Sequence, residues 1–196
     1  MKYLLLILGE SGSGKSTIVK ELCKRNGYKE LVSYTDRPKR SEDEDTHIFL
    51  TKEEADKMCL EEKIAAYTVF DGHQYFCTEK QIDESDIYVI DPAGLDNLKK
   101  LYAGDKHMYS LYIFATEEER MQRMLDRGQT QEEAAQRIEH DRYAFDGVKK
   151  KVDLAVRNKK LKRAVKKVER LIKEFEQDEK IIDWIEKLVK QYGNKV

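Results

Sequence analysis

A parallel β-sheet covered by helices, an α/β architecture, is what this chain predicts, and three observations carry it. The apolar run Tyr3-Leu4-Leu5-Leu6-Ile7-Leu8 leads through Gly9-Glu10-Ser11-Gly12-Ser13-Gly14-Lys15-Ser16 into a helical pattern over residues 17–24. Residues 87–90 and 111–114 are short runs rich in β-branched and aromatic residues, separated by a helix-like stretch at 95–101. Strand–helix repeats of this kind build a parallel sheet with helices against its faces. Between and beyond them lie a segment with hairpin signals and a highly charged helical stretch, 116–144, which predict a small β-rich lobe and a helical lid.

The glycine-rich turn has the spacing G-x-x-x-x-G-K-[ST] in its required context, between a strand and a helix. A loop turning tightly on Gly9, Gly12 and Gly14 aims successive backbone N–H groups inward, and the following helix adds its positive end. The concavity, which also includes Ser11, Ser13 and Thr17, suits an anion. Lys15 is then expected to serve as a point charge for the terminal phosphates of a nucleoside triphosphate, and the Ser16 hydroxyl as a ligand to a magnesium ion that keeps several waters. The expected fold is therefore a P-loop one, in three layers.

Composition narrows the partners. Thirty-seven Lys and Arg against 38 Asp and Glu leave a net charge of −1 over 196 residues. Such a balance gives no global field for nucleic acid or membrane, so polyanion binding is expected to be local. The opening apolar run is too short for a membrane span or signal-peptide core, and the expected location is cytoplasmic. Cys23, Cys59 and Cys77 show no zinc spacing and are odd in number. Cys23 and Cys59 sit in apolar-periodic stretches and are expected to be small buried hydrophobes.

Taken in order, Gly27 stops the first helix, and Glu30-Leu31-Val32-Ser33-Tyr34 reads as a short strand. It runs into Thr35-Asp36-Arg37-Pro38-Lys39-Arg40. Two guanidinium groups around a proline can converge on one phosphate with bidentate geometry; a solvated basic loop, balanced by the acidic run that follows, is the competing reading. Thr51-Lys52-Glu53-Glu54 is a capping box. Residues 64–70 and 74–77 read as strands turning at Asp71-Gly72. The lobe, residues 33–83, thus carries Arg37, Arg40 and Tyr75. Asp91, at the end of the next strand, either faces a ligand or caps the helix that begins at Pro92. In the lid, residues 117–147, Gly128-Gln129-Thr130 breaks the helix and Thr130-x-x-Glu133 restarts it. Arg120 and Arg142 read as solvated members of Glu/Arg pairs. The apolar spacing over 159–196 gives one or two amphipathic helices broken near Gln177-Asp178, the last either covering extra core or supporting a homodimer. The P-loop core comprises 1–32, 84–116 and 148–196.

These motifs, in this order, resemble the guanylate kinase family over roughly residues 1–175: the P-loop, then Ser33-x-Thr35-x-Arg37-x-x-Arg40, Tyr75 shortly after a glycine, Asp91-Pro92-Ala93-Gly94, Arg123 to Gly128, Arg137-Ile138, and the strand ending at Asn158. The resemblance implies ATP and Mg2+ as donor and cofactor, small-molecule nucleotides as partners, and GMP or dGMP as acceptor. It further implies Arg127 and Arg137 as lid cations, with Arg123 a weaker third, Asn158 near the adenine, and Ser33, Arg37, Arg40, Tyr75 and Asp91 around the acceptor. Two departures stand out. Ala66 falls where the family has a guanine-reading Glu, and His47 where it has a phosphate-holding Tyr. An alanine accepts no hydrogen bond from a purine, and a lost buried partner costs about 1–3 kcal/mol. Three functions stay open on the sequence: a nucleoside monophosphate kinase; a sugar-phosphate kinase like the ribose bisphosphate kinases; and a non-catalytic binding module, against which the intact Gly14, Lys15 and Ser16 argue.

Overall fold

Tyr3–Leu8, the first strand (β1), is apolar and buried at every position. An edge strand or a strand wet on one face would alternate; this one must be covered on both sides. In the computed structural model, which describes residues 2–39 and 42–192, it lies at the centre of a sheet. The elements that follow in the first half are α1 (Lys15–Asn26), β2 (Glu30–Leu31), β3 (Tyr34–Thr35), β4 (Ile48–Phe49), α2 (Lys52–Glu61), β5 (Ile64–Phe70), β6 (His73–Thr78) and α3 (Glu79–Glu84). The second half contains β7 (Ile87–Val89), α4 (Pro92–Leu101), β8 (His107–Phe114), α5 (Glu117–Leu125), α6 (Gln131–Ala144), β9 (Leu154–Arg157) and α7 (Leu161–Tyr192).

The core sheet has the order β2-β7-β1-β8-β9, with every pairing parallel. The two-residue period of β1 divides its side chains between two clusters. Tyr3, Leu5 and Ile7 pack with Ile18, Val19 and Leu22 of α1 and with Val165, Val168, Ile172 and Phe175 of α7. Leu4, Leu6 and Leu8 face Leu95 and Leu98 of α4, together with Ala65, Ala66 and Cys77 from the lobe. Three layers result, and the carboxyl ends of β1, β7 and β8 open toward the glycine-rich loop.

The lobe is a separate sheet of order β4-β3-β6-β5. The stretch 30–34, read as one short strand, is split: Glu30 and Leu31 pair with β7 in the core sheet, and Tyr34 and Thr35 pair with β6 and β4 in the lobe. Residues Val32 and Ser33 carry the chain from one sheet to the other. The β5–β6 hairpin turns at Asp71 and Gly72, both with positive φ (51° and 75°), as a two-residue turn between twisted strands requires. The Thr51 and Thr130 capping boxes both form, and two further ones are present at Thr78-Gln81 and Thr116-Glu119.

Three expectations need correction. The tail does not break near Gln177-Asp178: α7 is a single helix of 32 residues. Its continuation is secured at Glu179, which is buried and takes hydrogen bonds from the Tyr109 hydroxyl (3.1 Å) and pairs with His107 Nδ1 (3.0 Å), so the helix docks along β8 where a break was expected. Cys23 and Cys59 are only half-buried, and Cys77 is the buried one; all three thiols are free. Arg120 is not solvated but 2% exposed, among the most buried side chains described.

Candidate active site

The loop from Gly9 to Ser16 follows β1 and ends as α1 begins. Gly12 and Gly14 have φ of +74° and +89°, a region that side chains rarely adopt. A Cβ at Gly12 would lie 2.6 Å from the Arg120 carbonyl, and one at Gly14 would collide with Asn158 Nδ2, so neither position has room for a side chain. Gly14 occupies the N-cap of α1 without a side-chain cap, so no side chain of the cap takes the first amides of the helix. Ser16 is exposed in the first helical turn, and Thr17 is half-buried behind it.

Lys15 is half-buried, and burial pushes its pKa down to about 8. Asp141 opposes that shift, while Arg137, Arg120 and Arg127 reinforce it. Lys15 and three arginines thus face two carboxylates, Asp141 and Glu10, the latter paired with Arg120 at 3.0 Å. The loop therefore carries a local excess of positive charge.

The lid helices meet this loop directly. Arg120 Nε donates to the Ser11 carbonyl (2.8 Å) and Nη2 to Asp141 Oδ2 (2.5 Å); the same Asp141 oxygen accepts from the Ser11 amide (2.7 Å). Arg123 donates to the carbonyls of Gly12 and Ser13 (both 3.2 Å) and of Asn158 (2.6 Å). Arg137 Nε lies 3.3 Å from Ser11 Oγ, and Arg127 is exposed at the helix end. Asn158, expected near an adenine, is 3% exposed and donates from Nδ2 to the Ser13 carbonyl at 2.9 Å. Its Oδ1 and the Ser13 hydroxyl are buried without a protein partner.

On the lobe, Ser33, Arg37, His47 and Tyr75 come together. Arg37 is bidentate to Glu44 (2.7 and 3.3 Å), and this hydrogen-bonded carboxylate raises its pKa. It also bonds to Tyr75 and lies 5.2 Å above the Phe49 ring. His47 Nδ1 is 3.0 Å from Ser33 Oγ, and its ring stands edge-on to Tyr75 at 5.4 Å. Arg40 lies outside the described residues. Asp91 caps α4, accepting from the Gly94 amide at 2.6 Å, and remains exposed. Ala66 is 3% exposed, opposite Cys77 across β5–β6. Beside it the buried Tyr88 hydrogen-bonds Cys77 and Ser33, and burial drives its pKa well up.

A guanylate kinase domain model matches residues 1–175, most of the chain. The chain belongs to the guanylate kinase family. Among its guanylate kinase relatives, that of Schizosaccharomyces pombe is 39% identical over 84 residues, 41% of this chain and 42% of the relative. That of Thermotoga maritima is 35% identical over 115 residues, 54% and 56% of the two chains. These two matches span only about half of the relatives' length; the Clostridium tetani guanylate kinase aligns over 86% of this chain and 84% of its own at 28% identity. The crystal structure of guanylate kinase from Anaplasma phagocytophilum shares the fold, with a TM-score of 0.60 over 88% of this chain and 85% of that one, at 20% identity.

Motif spacing assigns no role to the side chains of Glu10, Glu44, Tyr88 and Asp141, and it places Arg120 in solvent. The helical period carried a signal for two of them: Arg120 is four residues before the buried Met124, and Asp141 three after the buried Ile138.

Proposed function

We propose that the chain is an ATP-dependent nucleoside monophosphate kinase whose acceptor is GMP or dGMP, acting in the cytoplasm. The observation that carries this reading is the cluster of Lys15, Arg120, Arg127 and Arg137 around the glycine-rich loop, with Arg37 held among Glu44, Tyr75 and Phe49 on the lobe. Lys15 and the lid residues Arg127 and Arg137 hold charge on the transferring phosphoryl group; Ser33, Arg37, Arg40, His47 and Tyr75 orient the acceptor phosphate, with Asp91 at the acceptor's edge. A phosphate oxygen is itself the nucleophile, so no general base is needed. Ser16, exposed in the first turn beside Lys15, fits a hard cation that retains most of its waters. Ser16 would help hold a magnesium ion there, which would supply charge neutralisation for the donor's phosphates. Gly9, Ser11, Gly12, Ser13, Gly14 and Thr17 shape the donor site, and Asn158 braces it from behind.

The base side favours loose discrimination. Ala66 offers no acceptor and shares a buried apolar cluster with Tyr88; this arrangement also supports, as a second reading, a sugar-phosphate acceptor that presents no base. ATP turnover measured against GMP, dGMP, AMP, CMP, UMP and ribose phosphates decides. Stimulation by GMP and dGMP, with other bases within roughly 100-fold, is expected from the loss of one hydrogen-bond partner. Stimulation by ribose phosphates alone overturns the nucleotide reading, and Lys15→Ala or Arg40→Ala with near-normal turnover overturns that residue's role. Homodimer formation through Ile181, Trp184 and Ile185, exposed on α7, is a further part of the proposal, checked by light scattering on Trp184→Glu.

A further inference from the structure

We propose that Asp141 is a positioning residue that latches the lid to the donor loop before nucleotide arrives, and so places Arg137 for phosphoryl transfer. The proposal rests on the kinase reading above for its catalytic consequence, though not for the latch itself. Both polar groups of the Ser11 peptide are taken by the lid: the N–H by Asp141 on α6 (2.7 Å), the carbonyl by Arg120 on α5 (2.8 Å). The two side chains are joined to each other at 2.5 Å, and Arg120 is anchored again on Glu10, two residues after β1. Asp141 is 6% exposed and Arg120 2%, so the latch is shielded from water. Arg137 is one helical turn before Asp141 on the same face of α6, and it reaches Ser11 Oγ from there. Fixing Asp141 on the Ser11 amide therefore fixes both the height and the rotation of α6, and with them the position of the Arg137 guanidinium.

A buried ion pair is weak evidence for stability by itself, because desolvation offsets most of its attraction. Its better-attested use is to select one arrangement among several, and here the arrangement selected is lid against loop. Displacement of a transfer cation by about 1 Å costs on the order of 100-fold in rate. Asp141→Ala should accordingly lower kcat by about that factor while the KM for the acceptor, bound on the lobe, stays within about twofold. Asp141→Asn keeps an acceptor for the Ser11 amide and should recover part of the loss.

Two measurements test this. Hydrogen exchange on the nucleotide-free protein should show faster exchange of the Ser11-containing peptide and of 131–144 in Asp141→Ala, with Asp141→Asn nearer the parent. Unchanged exchange overturns the latch whatever the protein phosphorylates. In a cycle with Arg137→Ala, the double variant should be no slower than Arg137→Ala alone, since Asp141 acts through that arginine. Losses that multiply assign Asp141 a merely structural role and overturn its positioning one. Were the parent protein to phosphorylate no acceptor, the proposed function would fail and the exchange result would still decide the latch.

Discussion

Replacing Arg120 with methionine removes one charge from a buried cluster of three and fills nearly the same space. The side chain is 2% exposed, and the side chains of its partners Glu10 and Asp141 are 16% and 8% exposed, so both carboxylates would remain largely cut off from water without their cation. Breaking a buried pair from one side costs about 3–5 kcal/mol. Each carboxylate keeps one donor, the Tyr112 hydroxyl for Glu10 and the Ser11 amide for Asp141, which places the expected loss near the lower bound, about 3 kcal/mol. For a chain of this size, about 2–4 °C of Tm accompany each kcal/mol, so calorimetry should show a fall of roughly 6–12 °C. Neutralising the whole cluster, as Glu10→Gln with Arg120→Met and Asp141→Asn, should restore part of the loss, because neither carboxylate is then stranded, while Lys15 loses the favourable charge of Asp141. A single variant that melts within 1 °C of the parent would refute the argument, since it would mean that Arg120 is solvated as the helical charge pattern alone suggests.

Two further outcomes are expected. Lys15 in the free protein has its pKa lowered to about 8, and donor phosphates favour its charged form; above that pH, binding of ADP should therefore take up a proton and weaken, about tenfold by pH 9 relative to pH 7. Titration calorimetry in buffers of different ionisation enthalpy reads the uptake directly, and a pH-independent affinity with no uptake would contradict it. Glu44→Ala strands Arg37, whose side chain is 12% exposed, and should lower stability by about 1–3 kcal/mol. The phosphate of GMP then replaces the missing carboxylate, so GMP should raise the melting temperature more in the variant than in the parent; equal shifts would show that Arg37 does not meet the phosphate.

Local patterns were the most legible features. The unbroken apolar run of β1 announced a strand covered on both faces, the Asp71-Gly72 pair announced the hairpin, and the Thr-x-x-Glu boxes marked where helices begin, because each depends on residues within a few positions. The split of residues 30–34 between two sheets was hidden, since both halves are β-forming and only the partners differ. The uninterrupted α7 was hidden too: Gln177 and Asp178 read as a polar break, and the docking of Glu179 onto His107 and Tyr109 comes from a strand some 70 residues away.

By itself the sequence determined the α/β class, the glycine-rich loop with its lysine between strand and helix, and the β5–β6 hairpin, because backbone conformation and hydrophobic period are local properties that spacing exposes; the grouping of Ser33, Arg37, His47 and Tyr75 was expected only from the family resemblance. Only the tertiary structure decided that Arg120 is a buried cation, that Asp141 takes the Ser11 amide, that Glu44 holds Arg37, and that Tyr88 is buried against Cys77 and Ser33. Each of these turns on burial and on partners distant in the chain, and the same charged residue is solvent-facing or buried according to what packs over it.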